Sequence, residues 1–200
     1  MTSPSPRVAA VILTGGSGVR LGGVDKASIE VHGLTLLEHA LSATALAREV
    51  VVVGPETPTT RPVTWTREAP AGGGPAAGLL AGLDALAVAP ELVCVLAVDM
   101  PRFTVGTLAR LVDVLRAEGE DADAVCLVDE EHRKQWLAAV YRYDALVAAR
   151  PDDRAAEHGL SIRRLMLPLR IIGVPALEGE ARDVDTWEDL RDVRETDDWM

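Results

Sequence analysis

Short apolar runs rich in branched side chains recur along the chain, separated by stretches whose apolar positions repeat at helical spacing. Val8-Ala9-Ala10-Val11-Ile12-Leu13 is the first such run, and its length suits a buried parallel strand better than a helix. Ala27 to Val31 reads as a short extended piece leading into a turn at Gly33. Thr35 to Leu46 predicts a helix with Leu37, Ala40, Leu41 and Thr44 on one face. Glu49 to Val53 is a second strand, stopped by Gly54-Pro55; strand, helix and strand in this order make a βαβ unit, expected to cross over right-handed. Proline and glycine punctuate residues 54–75, which predict mostly loop around a short strand at Val63-Thr64-Trp65-Thr66. An apolar helix follows over Leu79 to Val88.

Leu92 to Val98 is the most strand-like run and predicts a central strand buried on both faces. Beyond it, Val105, Leu108, Val112 and Leu115 mark one face of a helix, and Ala124 to Val128 is a strand. A charged turn, Asp129 to Lys134, precedes a further run from Gln135 to Tyr141. Tyr143 to Ala149 and a segment with Ser161 at its N-cap read as short helices, with a late strand at Leu169 to Val174. Thr186 with Asp189 fits a capping box that opens the last helix, and Arg191 to Met200 reads as an acidic tail. The alternation of strand and helix predicts an α/β fold: a single-domain, open, mostly parallel, Rossmann-like sheet with helices on both faces.

Two hundred residues suffice for one well-cored domain, and no stretch in the middle reads as a linker. Residues 8–200 are therefore expected to form one domain behind a disordered tail at residues 1–7. With 48% hydrophobic but only 4% aromatic residues, the core must be aliphatic. The formal charge of −11, from 31 acids against 20 bases, disfavours a nucleic-acid partner. An acidic protein that binds a nucleotide needs locally placed cations or a metal. Cys94 and Cys126 sit in apolar strand-like runs without a C-x-x-C or Cys/His cluster, which reads as buried free thiols rather than a zinc site. The polar start lacks the layout of a signal peptide, and no apolar run approaches the ~20 residues of a membrane span, so a cytoplasmic location is expected.

The candidate chemistry gathers between Leu13 and Lys26, where the first strand empties into glycine-rich backbone and then meets Arg20 and Lys26. Glycine N–H groups approach an anion closely, and the two cations add charge, so this stretch suits phosphate. The dinucleotide pattern G-x-G-x-x-G fails at Leu21, and the P-loop pattern fails at Val24. Asp99, at the carboxyl end of the most strand-like run, is well placed to hold a metal, but spacing alone fits a helix cap equally well. Gly72 to Gly78 leads into a helix as an anion or base contact or as a flexible connection. Arg133 and Lys134 suit an acceptor phosphate or a solvated hairpin tip, with the tip favoured. Asp183 and Asp185 precede the last cap, where the helix dipole also favours acids. Glu68 has no assigned purpose, and His132 and His158 have no paired partners in sequence. Without a Ser/His/Asp or Cys/His set, the parts fit nucleotidyl transfer, which depends on positioning and charge neutralisation.

The stretch Leu-Thr-Gly-Gly-Ser-Gly-Val-Arg-Leu-Gly-Gly-Val-Asp-Lys resembles the L-x-G-G-x-S-x-R-M-G-x-D-K signature of the MobA-like nucleotidyltransferases, the family that includes molybdenum cofactor guanylyltransferase. Leu13, Gly15, Gly16, Arg20, Gly22, Asp25 and Lys26 match. Thr14 replaces a usual alanine, Leu21 replaces methionine, Ser17 is shifted, and one extra residue separates Gly22 from Asp25. Val98-Asp99-Met100-Pro101 is similar to the family's C-D-M-P segment, and Gly74-Pro75-Ala76-Ala77-Gly78 to its G-P-L-A-G segment. Asp183 to Leu190 resembles N-x-N-T-P-E-D-L with both asparagines replaced by aspartate, which ligates a metal but donates no hydrogen bond to a pterin.

The resemblance implies a fold of the nucleotide-diphospho-sugar-transferase type, GTP as donor, molybdopterin (the molybdenum cofactor) as acceptor and Mg2+ as the metal. Molybdoenzyme-maturation proteins are candidate partners. It implies a nucleotide site of Leu13, Thr14, Gly15, Gly16, Ser17, Gly18, Arg20 and Lys26 with Gly74, Pro75, Ala76 and Gly78. Arg20 would stabilise the leaving pyrophosphate, Lys26 would contact the transferring phosphate, and Asp99 with Asp185 would hold the metal. Acceptor contacts fall to Asp183, Asp185, Arg133 and Lys134. Gly15-Gly16 and the second glycine segment indicate the guanylyl branch; the alternatives are a molybdopterin cytidylyltransferase, another small-molecule-phosphate nucleotidyltransferase, and a non-catalytic nucleotide-binding module.

Overall fold

The computed structural model describes residues 7–15, 24–177 and 179–195. Its described residues build a seven-stranded sheet from β1 (Val8–Leu13), β4 (Glu49–Val53), β5 (Thr64–Thr66), β6 (Leu92–Ala97), β7 (Ala124–Val128), β8 (Lys134–Arg142) and β9 (Ile171–Pro175). The spatial order is β5-β4-β1-β6-β8-β7-β9. Every neighbouring pair runs parallel except those made by β8, which is antiparallel to both β6 and β7. A two-stranded hairpin, β2 (Glu30–Val31) with β3 (Leu34–Thr35), sits outside this sheet.

Alternation along the strands divides the core in two. Ala10 and Ile12 of β1 and Cys94 and Leu96 of β6 face one layer, built with α1 (Leu36–Ala43), α3 (Val105–Ala117) and α6 (Trp187–Glu195). Val11 and Leu13, with Val93 and Val95, face the other, built with α2 (Gly74–Asp84), α4 (Tyr143–Ala148) and α5 (Ile162–Met166). β1 and β6 read as unbroken apolar runs because both of their faces are covered. Thr35 caps α1 by accepting from the Glu38 amide at 3.2 Å, and Thr104 with Thr107 forms a capping box on α3. Cys94 and Cys126 lie in opposite layers, and burial pushes their thiols up to about 12 and about 11. Among the described residues, no helix is long and apolar enough to cross a membrane.

Several boundaries differ from the sequence expectation for identifiable reasons. α1 ends at Ala43, short of Leu46. α2 begins at Gly74, inside the glycine run rather than at Leu79, because Pro75 at the first turn suits a helix start. Residues 191–195 are the last turns of α6 with Val193 buried, not a tail. Arg7 already belongs to the fold, since its carbonyl accepts from the Glu91 and Leu92 amides; the rest of the expected leading tail lies outside the described residues. The antiparallel turn between β7 and β8 is organised by the Asp129 carboxylate, which accepts from the Glu131 and Arg133 amides and from the Arg133 and Gln135 side chains. A connection that short joins strands only in antiparallel fashion.

α2 lies so close to β1 and β4 that a Cβ at Gly82 would come within 2.4 Å of Val11 Cγ1 and 3.1 Å of Val53 Cγ2. Gly82→Ala is expected to cost about 1–3 kcal/mol of overpacking, more than the ~1 kcal/mol that alanine gains in a helix. The measurement is urea unfolding: the midpoint should fall with an unchanged slope, and a raised midpoint would contradict this packing.

Candidate active site

Three segments far apart in sequence meet at the carboxyl edge of the sheet. The first is a 3-10 turn, Lys26–Ser28, capped by Asp25, whose side chain accepts from the Ala27 amide at 3.1 Å. The turn sends Lys26 inward to only 8% exposure. Its Nζ donates to Asp99 Oδ2 at 2.8 Å and to Asp185 Oδ1 at 2.5 Å. Asp99 comes from the second segment, just past β6, where the Val98 amide bonds the Leu13 carbonyl and ties the ends of β6 and β1 together. Asp99 does not cap α3, because Thr104 does.

The third segment carries Asp183 and Asp185 and is held at several points. The buried Val184 donates its amide to the Asp99 carbonyl at 2.8 Å. The Asp189 carboxylate accepts from the Asp185 amide at 3.2 Å, the Thr186 amide at 2.8 Å and the Thr186 hydroxyl at 2.7 Å. α6 is fastened to the hairpin that follows Lys26 by His32 Nε2 on the Val193 carbonyl and by the Arg194 guanidinium donating to the Glu30 carbonyl. The Thr186–Asp189 capping box was legible in sequence; its reach back to the Asp185 amide was not.

Burial works against the charge on Lys26, but its hydrogen bonds to Asp185 and Asp99 outweigh that and raise its pKa above the ordinary value. Asp183, at the exposed rim, has its pKa raised by local desolvation and by the negative charges of Asp185 and Asp99. For Asp189, desolvation is overcome by the hydrogen bonds from Thr186 and Asp185, so its pKa is lowered. Asp99 and Asp185 thus share one ammonium, with Asp183 close enough to feel their charge. That donor set fits a divalent cation held by two carboxylates, with its other ligands from phosphate and water. Among the described residues, no cluster of three or more His, Cys, Asp and Glu could hold a metal by itself.

β1 and β4 end beside the first turns of α2: a Cβ at Gly78 would touch Val53 and Leu13 in ordinary contact. The N–H groups of that first turn lie at the carboxyl edge and lack helical partners. Gly74 and Pro75 are exposed there, whereas Ala76 and Gly78 are buried in the packing of the helix. Glu68 accepts from the Gly72 amide at 3.1 Å, and Gly159 donates its amide to the Gly73 carbonyl, so the loop before α2 is pinned from both sides. Gly15 is exposed, with no atom of the described residues within 4 Å of where a Cβ would stand. Gly16, Ser17, Gly18 and Arg20 lie outside the described residues.

Leu13 and Thr14 hold the frame. Leu13 is buried, and Thr14 donates both its amide (3.1 Å) and its hydroxyl (3.0 Å) to the Val53 carbonyl. The hydroxyl that alanine would lack joins the ends of β1 and β4. Glycine at position 54 is required by this arrangement, since a Cβ there would lie 1.8 Å from Thr14 Oγ1.

A cleft of ≈ 900 Å³ opens beside Asp183, with Arg182 and Arg102 on its lining and Arg133, Lys134 and Gln135 from the hairpin tip. Arg133 is paired with Asp129 and Glu131. Lys134 donates to the Ile171 carbonyl at 2.7 Å and lies 5.7 Å from the centre of the Trp136 ring. These two cations line the cleft but are engaged within the hairpin and its neighbouring strand.

Comparison with known proteins follows the same lines. Residues 10–168 match the family model of the MobA-like NTP transferase domain. A molybdenum cofactor guanylyltransferase of Cupriavidus necator is 31% identical over 152 residues, covering 70% of this chain and 75% of that protein. A probable molybdenum cofactor guanylyltransferase of Mycobacterium tuberculosis is 36% identical over 143 residues, covering 68% of this chain and 69% of that protein. The crystal structure of molybdopterin-guanine dinucleotide biosynthesis protein A from Archaeoglobus fulgidus superposes with a TM-score of 0.71 over 94% of this chain and 97% of that one, at 21% identity, which establishes the shared fold.

Lys26→Met would leave Asp99 and Asp185 without the ammonium they share, and lower thermal stability is expected at neutral pH in the presence of a chelator. Because the folded-state pKa of Lys26 lies above its ordinary 10.5, its stabilisation is present below that value and lost as pH rises through the folded pKa. The melting-temperature gap between wild type and Lys26→Met should hold from about pH 7 to about pH 10 and narrow above. A gap missing at neutral pH would contradict the ion-pair arrangement.

Proposed function

This chain belongs to the MobA-like NTP transferase family, and from that premise we propose that it transfers the guanylyl group of GTP to molybdopterin with release of pyrophosphate. The observation that carries the reading is the junction of Lys26 with Asp99 and Asp185 at the carboxyl edge of the sheet. An oxygen of the acceptor's phosphate attacks the α-phosphorus of GTP, the bond from that phosphorus to the bridging oxygen breaks, and pyrophosphate departs with the electron pair. No enzyme nucleophile takes part, so the chain's work is to align and to neutralise charge.

Asp99 and Asp185 are the residues that would hold Mg2+, which when bound neutralises phosphate charge and fixes the triphosphate. Gly15 and the exposed backbone of Gly74 at the start of α2 offer close approach to the nucleotide. Lys26 places a positive charge at the two carboxylates, where the transferring phosphate would lie. Arg20, in the glycine-rich stretch, is the candidate for the leaving pyrophosphate. The cleft beside Asp183 is the candidate seat of the acceptor, with Arg133 and Lys134 on its wall. Asp183 accepts hydrogen bonds from a pterin where an asparagine would also donate.

Thermal unfolding with GTP, CTP, ATP or UTP, each with Mg2+, tests the donor. A ligand at ~100 times its Kd adds about 2.7 kcal/mol, a shift of several degrees. A shift specific to GTP is expected; one specific to CTP would move the assignment to the cytidylyl relatives. In a coupled pyrophosphate assay with molybdopterin, Lys26→Ala and Asp99→Ala should each lower turnover by roughly a thousand-fold or more while the fold survives. Wild-type-like turnover in either variant would refute its role, and no pyrophosphate from any nucleotide would favour a non-catalytic binding module.

A further inference from the structure

We propose that Lys26 acts as an internal counter-ion that competes with a divalent cation for Asp99 and Asp185, so that metal binds well only once a polyphosphate draws the ammonium away. The proposal rests on the reading of those two carboxylates as metal ligands. A single ammonium donates to one oxygen of each, at 2.8 and 2.5 Å, from a side chain that is nearly enclosed. The carboxylates keep 22% and 39% of their side-chain surface open, so a cation in solvent can reach them. An ammonium held against both disfavours a second cation at the same oxygens, because like charges at a few ångströms repel strongly in a partly buried site.

The backbone around the cluster is fastened. Asp25 caps the turn of Lys26, the Val184 amide holds the Asp99 carbonyl, and the Asp189 carboxylate holds the Asp185 amide. Exchange of one cation for another therefore falls to side-chain torsions, chiefly the four-carbon stem of Lys26. A triphosphate supplies anionic oxygens that attract the ammonium and also ligate the metal. Nucleotide and metal are then coupled through Lys26, and each must strengthen the other by the same factor. Asp183, at the rim and outside the direct hydrogen bonds to Lys26, adds negative charge that keeps the cluster attractive to the incoming metal.

The test uses Mn2+ as a paramagnetic probe, with free Mn2+ read by electron paramagnetic resonance in nucleotide-free full-length protein. Lys26→Met is expected to bind Mn2+ roughly ten-fold or more tightly than wild type, the sign expected when a unit charge beside a divalent ion is removed. Lys26→Arg keeps the charge and should bind as weakly as wild type. A non-hydrolysable GTP analogue should tighten Mn2+ binding more in wild type than in Lys26→Met. Equal or weaker Mn2+ binding by Lys26→Met would overturn the proposal. Asp99→Asn separates the two readings: if it weakens Mn2+ binding while Lys26→Met fails to tighten it, only the counter-ion role falls. If Asp99→Asn leaves Mn2+ binding intact in both backgrounds, the assignment of the metal ligands itself fails.

Discussion

One ammonium satisfies two carboxylates that the chain delivers from positions 73 and 159 residues away, and much of the architecture exists to make that meeting possible. A parallel sheet collects strand ends at one edge, which brings Lys26 beyond β1 and Asp99 beyond β6 into reach. Asp185 arrives differently. It rides on the connection into α6, and that helix is pulled back across the molecule by buried Leu190 and Val193 and by its bonds to the β2–β3 hairpin. The Val184 amide on the Asp99 carbonyl then fixes the approach to hydrogen-bond accuracy. Packing energy is thus converted into the placement of charges that would otherwise repel.

The parts of the fold legible in sequence are those in which local pattern and global burial agree. Val8–Leu13, Glu49–Val53 and Ala124–Val128 appear with their expected ends because continuous branched apolar runs have few alternatives to a buried strand. The start of α2 was hidden because glycine normally argues against helix. Here the close approach to β1 and β4 demands glycine at 82, and packing overrides propensity. The antiparallel setting of β8 was legible only through the favoured hairpin tip at Arg133 and Lys134, because a run of apolar residues does not itself encode direction. It follows from the Asp129 turn, a set of hydrogen bonds visible only once the hairpin closes.

The candidate site divides in the same way. Lys26, Asp99 and Asp185 stand out in sequence through their motifs, and the structure brings them together. The Thr14 hydroxyl also holds the frame through the Val53 carbonyl, a partner 39 residues away that no local pattern announces. Asp189 looked like a helix cap and is one, but it also anchors the amide of Asp185. Arg133 and Lys134 were read as acceptor contact or hairpin tip, and their partners within the hairpin and on β9 favour the tip even as they line the cleft.

Among the described residues, two carboxylates meet at Lys26, an arrangement suited to receiving cation and polyphosphate together. The most direct measurement of the account is mass analysis of the product formed from GTP, Mg2+ and molybdopterin. The account requires a species heavier than molybdopterin by one guanylyl unit, formed in equal amount with pyrophosphate and dependent on Asp99. Consumption of GTP without a guanylylated acceptor, or the same adduct from Asp99→Ala, would contradict it.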